Sequence, residues 1–583
     1  MKNIFKKYGI LLAFLASACS LDGDLENPNQ VPVSGADVDY IMNLVQLDFA
    51  DFFGGAQGTV SPLIRQSTMS SYRYQLAYQP QFQDGLWSGA YQGILLQAGT
   101  LIELATEKGL TTHVAVAKIL SAYTYLTLVD LFNDVPRTEA LAASTGNFNP
   151  TVDPARQVYD HAIALLGEAR TELAKTGTSA GGALVRDIYY GGDRAKWKAL
   201  CNTLELKAWV NVSLVDAAAN AKIATFINPA TGESLVDIID DPKENFTYKY
   251  GTATVPAGSR HPLYDQYYSP NLGNAGGYLS TYFMYEMFNS SDYTTDGVGG
   301  GTAIQDPRWR YYFYRQVGSI NPVENGFDVK ALGCTPGVPP PHYQAAGVKM
   351  FCVFEPGFYG RDHGDGSGTP PDGPVVTAAG VYPAGGRPDL TSTLSKKYSK
   401  GTIRGDGANG AGIQPIWMSP YTDFIKAEVA IRSNNDGRAL LLKAVENSIQ
   451  SIKTFADDKG QSVTFAPWSS SKWVKGDASA FDVLVNTYTT AVGKAYDAAG
   501  VKMEVAGKEF WKSTWGNGLE GYNLYRRTGA PADMQPTIQL NPGPWMRTLL
   551  YPSVFVNLNS SATQRPADQV NKVFWDTNPA DLD

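Results

Sequence analysis

Three aspartates in a glycine-rich stretch come closest, by residue type and spacing, to a metal site. Asp362, Asp365 and Asp372 stand in the sequence GRDHGDGSGTPPDG at 360–373. Carboxylate and carbonyl oxygens are the ligands that Ca²⁺ prefers. The spacing differs from that of the EF-hand loop, so a loop that only organises the backbone is the alternative. We expect no cofactor, with a structural Ca²⁺ at these aspartates left open.

Asp130 and Asp134 are the carboxylates that could form a catalytic pair. Such pairs act as acid and base in glycoside hydrolysis. These two flank the end of a predicted helix, before a turn that Pro136 restricts, so we expect them to support local structure. His363 has no identifiable nucleophile partner, and the chain contains neither an HExxH motif nor a phosphate-binding glycine loop. The sequence therefore predicts no catalytic residue.

Two adjacent arginines, Arg526 and Arg527, lie near the predicted end of a helix. Their charge suits the negative end of the helix dipole. Their guanidinium groups can also hold buried carboxylates in bidentate pairs. We expect a structural role for both.

Helical periodicity dominates both ends of the chain, and the segment between them differs in composition. Ser34 is a predicted helix N-cap, and 111–132 is the clearest helix. The segment 238–415 is rich in Gly, Pro, Tyr and Asn and has no long period. We predict one mainly α domain over 34–583, helical at 34–237, loop-rich at 238–415, and helical with a C-terminal tail at 416–583. The paired helices suggest a helical-repeat scaffold with few short strands.

The N-terminal residues have the pattern of a secretory signal. Lysines at positions 2, 6 and 7 precede an apolar run at 10–15, three small residues and Cys19. The pattern resembles bacterial lipoprotein signals, in which the cysteine is acylated, with palmitate for example, and becomes the mature N-terminus. Ala16 replaces the leucine usual in such signals, and an ordinary signal peptide is the alternative. We predict a signal peptide at 1–18 and lipidation at Cys19.

The residues after Cys19 are predicted to be a lipidated tether, 19–33. Asp22, Asp24 and Glu26 resemble the surface-export signal of Bacteroidetes lipoproteins, whereas a solvated acidic linker is the alternative. Acyl chains contribute about 0.8 kcal/mol per buried CH₂, so multiple acylation would hold the domain on a membrane.

The net charge argues against one class of partner, nucleic acid. The formal net charge is −8 and the pI is about 5.3. Nucleic-acid binding requires a basic face, so this acidic balance argues against it.

The cysteines after Cys19 have separate predicted roles. Cys201, in a helical stretch, is predicted to be a buried apolar side chain. Cys334 and Cys352 flank a Pro/Gly-rich loop, and in an oxidising compartment they are predicted to form a disulfide worth about 3 kcal/mol.

Eight segments in a fixed order resemble the SusD/RagB family of nutrient-binding outer-membrane lipoproteins. They are YTYLTLVDLFNDVPRTEAL (123–141), YYGGDRAKWKALCNTLELKAW (189–209), DPRWRYYF (306–313), GRDHGDGSGTPPDG (360–373), GVYPAGGRPD (380–389), PIWMSPYTDFIKAEVAIR (415–432), EGYNLYRRTGAP (520–531) and KVFWDT (572–577). The GRDHG and YPAGG segments indicate the SusD-like branch with a long central insertion. Phe132-Asn133-Asp134 departs from the usual Tyr-Gly-Asp, and both versions form a turn.

The resemblance implies a tetratricopeptide-like helical scaffold with an irregular second layer. It also implies a surface-exposed protein, not an enzyme, that captures glycans at the outer membrane. Such a protein acts as the lid of a SusC-like, TonB-dependent porin. Three alternatives remain at this stage: a peptide-binding RagB-like lipoprotein, a membrane-anchored glycoside hydrolase, and a purely structural partner of the porin with no ligand of its own.

Aromatic side chains are the predicted ligand contacts. The chain has 33 Tyr, 24 Phe and 11 Trp, and tyrosine and tryptophan pair a flat apolar face with a polar tip. In this family, aromatic residues on loops around the scaffold bind sugars. Two clusters fit that description, one from Tyr72 to Trp87 and one from Tyr264 to Tyr278. The predicted contacts are Tyr72, Tyr74, Tyr78, Trp87, Tyr268 and Tyr278. The alternative is that these rings pack in the protein's own core or against the porin.

Overall fold

The structure is a computed structural model. It describes residues 36–142, 146–177, 181–268, 278–288, 292–294, 303–316, 338–348, 350–366, 376–389, 406–463 and 479–579. Several predictions therefore lie outside the described residues. They are the signal peptide at 1–18, the lipidated tether at 19–33 with Cys19, the helix cap at Ser34, the disulfide partner Cys334 and the metal ligand Asp372.

The N-terminal part of the chain is helical, as predicted. Its helices are α1 (Val38–Val60), α2 (Tyr74–Ala77), α3 (Asp84–Ser88), α4 (Leu96–Glu107), α5 (Thr111–Phe132), α6 (Ala155–Ala174), α7 (Arg194–Val212) and α8 (Ala219–Ile223), with a 3₁₀-helix at Pro80–Gln83 and a π-helix at Gly89–Leu95. Helix α1 is capped by Asp37, whose carboxylate accepts hydrogen bonds from the backbone N–H groups of Asp39 and Tyr40. Helices α5 and α6, like α6 and α7, are packed neighbours, so consecutive helices form layers around one core.

Helix α5 lies at the centre of this part of the core. It is long and apolar enough to cross a membrane, yet 94% of its most apolar window is buried inside the protein. All of its residues except Lys118 are buried. Because both faces are covered by other helices, α5 is a core helix.

The central part contains short elements joined by irregular segments. Its helices are α9 (Pro262–Tyr268), α10 (Thr281–Phe288), α11 (Trp309–Tyr312) and α12 (Pro341–Ala345), with a 3₁₀-helix at Pro242–Glu244. Its strands are β1 (Phe246–Lys249), β2 (Phe313–Tyr314), β3 (Val353–Phe354), β4 (Phe358–Tyr359), β5 (Ala378–Ala379) and β6 (Ile413–Trp417). They form antiparallel pairs of β1 with β6, β2 with β5, and β3 with β4.

The C-terminal part returns to helices and then continues as a long irregular tail. Its helices are α13 (Ser419–Arg432), α14 (Arg438–Asp458), α15 (Ser479–Ala498), α16 (Lys502–Ser513), α17 (Gly518–Thr528) and α18 (Ser553–Val556). About half of the chain is helical and the strands are few and short, so the predicted mainly α class is confirmed.

Buried ion pairs connect these parts, and the predicted structural role of the double arginine is confirmed. Arg527 donates hydrogen bonds to both carboxylate oxygens of Glu428, at 2.7 and 2.9 Å. Arg526 donates to the backbone oxygens of Asp130 and Arg547. Burial of a charge is tolerated only with such pairing, so these contacts fix α17 against α13 and the end of α5.

Asp130 and Asp134 also stabilise the fold, through hydrogen bonds to other helices. Asp130 accepts hydrogen bonds from the Tyr159 hydroxyl at 2.6 Å and from Asn523 at 2.7 Å. Asp134 accepts one from the backbone N–H of Ala155 at 2.8 Å, at the start of α6. The two carboxylates are thus engaged in the connection between α5, α6 and α17.

Candidate ligand-binding cleft

The GRDHG segment is a buried junction between distant parts of the chain. Asp362 accepts hydrogen bonds from Gln535 at 2.8 Å and from the backbone N–H of Cys352 at 2.7 Å. Burial raises the pKa of Asp362 to about 7. Both of its oxygens are thus engaged with protein donors, which favours the backbone-organising alternative. The structural Ca²⁺ stays a prediction.

His363, in the same segment, is buried and makes hydrogen bonds to distant parts of the chain. Its Nε2 lies 3.1 Å from the Tyr74 hydroxyl, and its carbonyl accepts a hydrogen bond from the backbone N–H of Ile538. Burial lowers the pKa of His363 well below its usual value. Its neighbour Gly364 donates to the Met69 carbonyl. The segment therefore joins the chain after α1 to the C-terminal tail.

Four of the six aromatic residues predicted as ligand contacts are packing residues in this structure. Tyr74, Tyr78, Trp87 and Tyr268 are each less than 8% exposed. The Tyr268 ring stacks on Tyr264, with centroids 4.6 Å apart, and its hydroxyl donates to the Ala379 carbonyl. For these four the interpretation as sugar-stacking residues is corrected, because their rings are buried and none of them lines the cleft described below.

The other two predicted contacts, Tyr72 and Tyr278, lie where a ligand could meet them. Tyr72 is 39% exposed, and a methyl group added at Gly366 would lie 3.3 Å from its ring. Tyr278 is 5% exposed, and it lines the cleft described next. Both remain predicted ligand contacts.

A cleft of about 320 Å³ lies where α1, α9 and the turn between α16 and α17 meet. That volume falls within the range of small-ligand sites. Its lining comprises Gln57, Gly58, Ser61, Pro62, Ser67, Thr68, His261, Leu263, Gln266, Tyr267, Tyr278, Leu279, Trp515 and Gly516. The cleft therefore combines the edges of three largely buried aromatic rings, Tyr267, Tyr278 and Trp515, each 3–5% exposed, with several hydroxyl and amide groups.

Local contacts hold the aromatic rings of the cleft in place. The guanidinium carbon of Arg361 lies 4.1 Å from the centroid of the Tyr278 ring. Thr68 donates its hydroxyl hydrogen to the Tyr278 carbonyl at 3.0 Å. The Trp515 indole N–H donates to the Tyr382 carbonyl at 3.2 Å. A ligand would thus meet rings whose orientation is already set, which lowers the entropic cost of binding.

Polar groups of the cleft are free to bind a ligand. Among the described residues, the side chains of Ser67 and Gln266 have no protein hydrogen-bond partner, and the Gln57 amide nitrogen makes no bond. The lining formed by the described residues contains no carboxylate. Acid–base hydrolysis of a glycoside uses two, whereas the groups that the described lining does offer are suited to stacking and to hydrogen bonds with hydroxyl groups.

Sequence reasoning missed much of this cleft. Gln266 and Tyr267 stood in the second aromatic cluster, but Gln57 and Trp515 belong to segments that only the fold brings to it. No spacing signal in the sequence could have joined positions so far apart. The backbone bridge between Ser67 and Leu279 shows how the chain closes one side of the cleft.

A separate acidic cluster resembles a metal site by distance alone. Glu286, Asp292 and Asp533 place carboxylate oxygens within 4.8 Å of one another. The ammonium group of Lys508 contacts all three, at 2.9 Å from Glu286 and 2.8 Å from Asp533. The lysine charge occupies the centre of this cluster, so it needs no metal ion.

Comparison with known families identifies the chain. Residues 41–331 match the family model for SusD-like proteins, described as "Starch-binding associating with outer membrane". The chain belongs to the SusD-like family. That family comprises nutrient- and glycan-binding proteins associated with the outer membrane. No curated protein sequence matches the chain.

Solved structures resemble this SusD-like protein over nearly its whole length. One is described as a chitin-binding protein, with 18% identity, a TM-score of 0.60, and coverage of 93% of this chain and 100% of the other. A SusD/RagB family protein from Bacteroides thetaiotaomicron has 17% identity, a TM-score of 0.59, and coverage of 90% and 95%. A chitin-binding SusD homologue from Flavobacterium johnsoniae has 16% identity, a TM-score of 0.57, and coverage of 94% and 99%. At such identities the likeness establishes the fold, and it confirms the predicted tetratricopeptide-like scaffold.

Proposed function

We propose that this SusD-like protein is a non-enzymatic receptor that binds a neutral oligosaccharide in the cleft at Tyr267, Tyr278 and Trp515. The observation that carries the proposal is the composition of that cleft, which pairs fixed aromatic rings with free amide and hydroxyl groups. A sugar ring presents an apolar face and a rim of hydroxyl groups. The cleft offers one kind of partner for each.

The relatives support a glycan as the ligand. The family description is starch-binding, and two structural relatives are described as chitin-binding. Chitin and starch fragments are neutral saccharides, so they match a cleft whose described lining has no carboxylate, lysine or arginine. A peptide is the second candidate ligand, as in RagB-like proteins.

The cellular setting is part of the same proposal. Lipidation at Cys19 would anchor the protein to the outer membrane, with the domain facing the cell exterior. The partner would be a SusC-like, TonB-dependent porin, over which the domain acts as a lid. Opening of the lid would exchange ligand with the medium, and closing would present it to the porin.

Calorimetry with the full-length chain purified in detergent tests the ligand. We would titrate chitohexaose, maltohexaose and a hexapeptide mixture, and analyse each sugar afterwards by chromatography. Saturable binding of an intact hexasaccharide supports the proposal. Binding of the peptides alone would replace the glycan with a peptide, and cleavage of a sugar would restore the hydrolase alternative.

The anchor is tested by a single substitution. Cys19→Ala should move the protein from the membrane fraction to the soluble fraction, and it should abolish incorporation of labelled palmitate. Equal membrane association and labelling of both forms would contradict lipidation at Cys19.

A further inference from the structure

One exposed face of α1 leads into the cleft. Asp51, Gly55 and Gly58 are exposed on α1, and their spacing of four and three residues places them on one face of the helix. A methyl group added at Gly58 would meet no atom within 4 Å. At 1.5 Å per residue this face is about 10 Å long, and its glycines let a ligand approach the helix backbone closely.

Two tyrosines lie near this face of α1, and the surface made by the face and the two rings is called the groove below. Tyr248, in β1, and Tyr250, two residues later, lie on the same side of the extended chain. Both are partly exposed, and their ring centroids are 4.9 Å apart at an interplanar angle of 90°. Partial burial is the main cause of the raised pKa of Tyr248. The negative charge of the nearby Asp51 raises that pKa further.

Contacts connect Tyr248 and Tyr250 to residues that line the cleft. The Tyr250 ring lies 4.8 Å from the ring of His261, which lines the cleft. Gln414 pairs with Tyr248 in the β1–β6 ladder and donates its side-chain N–H to the carbonyl of Gly516, another lining residue, at 2.7 Å. Gly58 itself belongs to both the groove and the cleft. The two surfaces are therefore continuous.

We propose that the groove bounded by Tyr248, Tyr250 and Asp51 is a second binding surface for the ligand of the cleft, so that the protein holds a linear, neutral oligosaccharide over several sugar units. This inference rests on the proposed function. The tyrosine rings supply apolar surface for sugar rings, and Asp51 accepts hydrogen bonds from sugar hydroxyls in charge-assisted contacts. Asp48, three residues before Asp51, adds a second negative charge, which disfavours uronate or sulfated chains.

The dependence of affinity on chain length tests the groove. We would titrate the full-length chain in detergent with two-unit and six-unit oligosaccharides of the chitin and starch series. The six-unit sugar of the series that binds should bind about tenfold more tightly than its two-unit form. Tyr248→Ala and Asp51→Asn should each reduce that advantage to about twofold, with the two-unit affinity unchanged.

Lys249 provides the matched control. It lies between the two tyrosines, is exposed, and faces the other side of β1, so Lys249→Ala should preserve the full advantage of the six-unit sugar. Asp51→Asn is nearly isosteric at an exposed position, so it keeps the test valid if Tyr248→Ala lowers the melting temperature.

The outcomes separate the two proposals. If the two-unit and six-unit sugars bind equally, or if both groove variants keep the full advantage, the groove proposal is overturned and the cleft proposal stands. If neither series binds, the proposed glycan function fails and the groove proposal fails with it.

Discussion

Arg361 lies over the ring of Tyr278, with its guanidinium carbon 4.1 Å from the ring centroid. Such a cation–π contact is worth about 0.5–2 kcal/mol depending on exposure. Arg361 is a buried residue of the GRDHG motif, whereas Tyr278 lines the cleft. The contact therefore connects the GRDHG segment to the surface that we propose as the binding site, and under that proposal this loop would support ligand binding by orienting the Tyr278 ring.

Replacing Tyr278 tests the role of its ring. Tyr278→Ala should weaken binding of the cognate oligosaccharide about tenfold, equivalent to ~1.4 kcal/mol, because one wall of the cleft and the partner of Arg361 are lost together. Tyr278→Phe keeps the ring and should retain most of the affinity. Calorimetry on both variants measures the difference.

Tyr40 serves as the matched control for this experiment. It is 57% exposed near the start of α1, at the far end of that helix from the cleft, so Tyr40→Ala should leave the affinity unchanged. Equal affinities of Tyr278→Ala and the unmodified chain would show that the ring does not contact the ligand.

The helical scaffold was predictable because its signals are local. Apolar periodicity, proline stops and the low periodicity of 238–415 each act over a few residues, and the structure follows them. The pairing of Arg527 with a buried carboxylate was also expected, since an arginine in a helical stretch beside apolar residues needs a partner. The partner itself, Glu428, lies 99 positions away and could not be named.

The cleft could be predicted only in part, because burial depends on the whole fold. Tyr74 and Tyr72 stand two positions apart in a polar segment, yet one is fully buried against His363 and the other is 39% exposed. Nothing in the segment itself distinguishes them. Tyr278 was predicted, whereas Trp515 was not, since its role arises from the approach of the α16–α17 turn to α1.

Loss of the Arg527–Glu428 pair should strongly destabilise the protein. Arg527→Met leaves Glu428 buried with only Arg432, at 2.9 Å, as a cationic partner. Leaving a buried charge short of its partner costs about 3–5 kcal/mol. We expect a clear fall in the melting temperature, measured by circular dichroism.

An exposed ion pair serves as the control for the buried Arg527–Glu428 pair. Arg438 pairs with Asp497 at 2.7 Å, with side chains 38% and 56% exposed, and such pairs contribute at most about 1 kcal/mol. Arg438→Met should therefore have a much smaller effect. A similar fall in melting temperature for the two variants would contradict the structural importance of the buried pair.

Asp362 should make the protein less stable as the pH rises. Burial raises its pKa to about 7 from the ordinary aspartate value of 3.8. Between these values the folded state binds more protons at this position than the unfolded state does, so the free energy of unfolding falls with increasing pH. Asp362→Asn should flatten this part of the profile between pH 4 and 7, as measured by thermal melts.

His363 contributes with the opposite sign and must be separated from Asp362. Burial lowers its pKa below the usual 6.5, so its contribution to the free energy of unfolding is lost as the pH falls through the unfolded-state value. Only the difference between the unmodified chain and Asp362→Asn isolates the carboxyl group. An identical pH profile for the two proteins would show that Asp362 has an ordinary pKa.

Cys352 is disulfide-bonded, and the predicted partner is Cys334. Cys201 is a buried free thiol, and Cys19 is the predicted lipidation site. Peptide mapping without reductant should therefore yield one linked peptide containing positions 334 and 352. Cys334→Ala and Cys352→Ala should lower the free energy of unfolding by similar amounts, about 3 kcal/mol in the chain-entropy model. A linked peptide containing position 19 or 201 instead would refute the pairing.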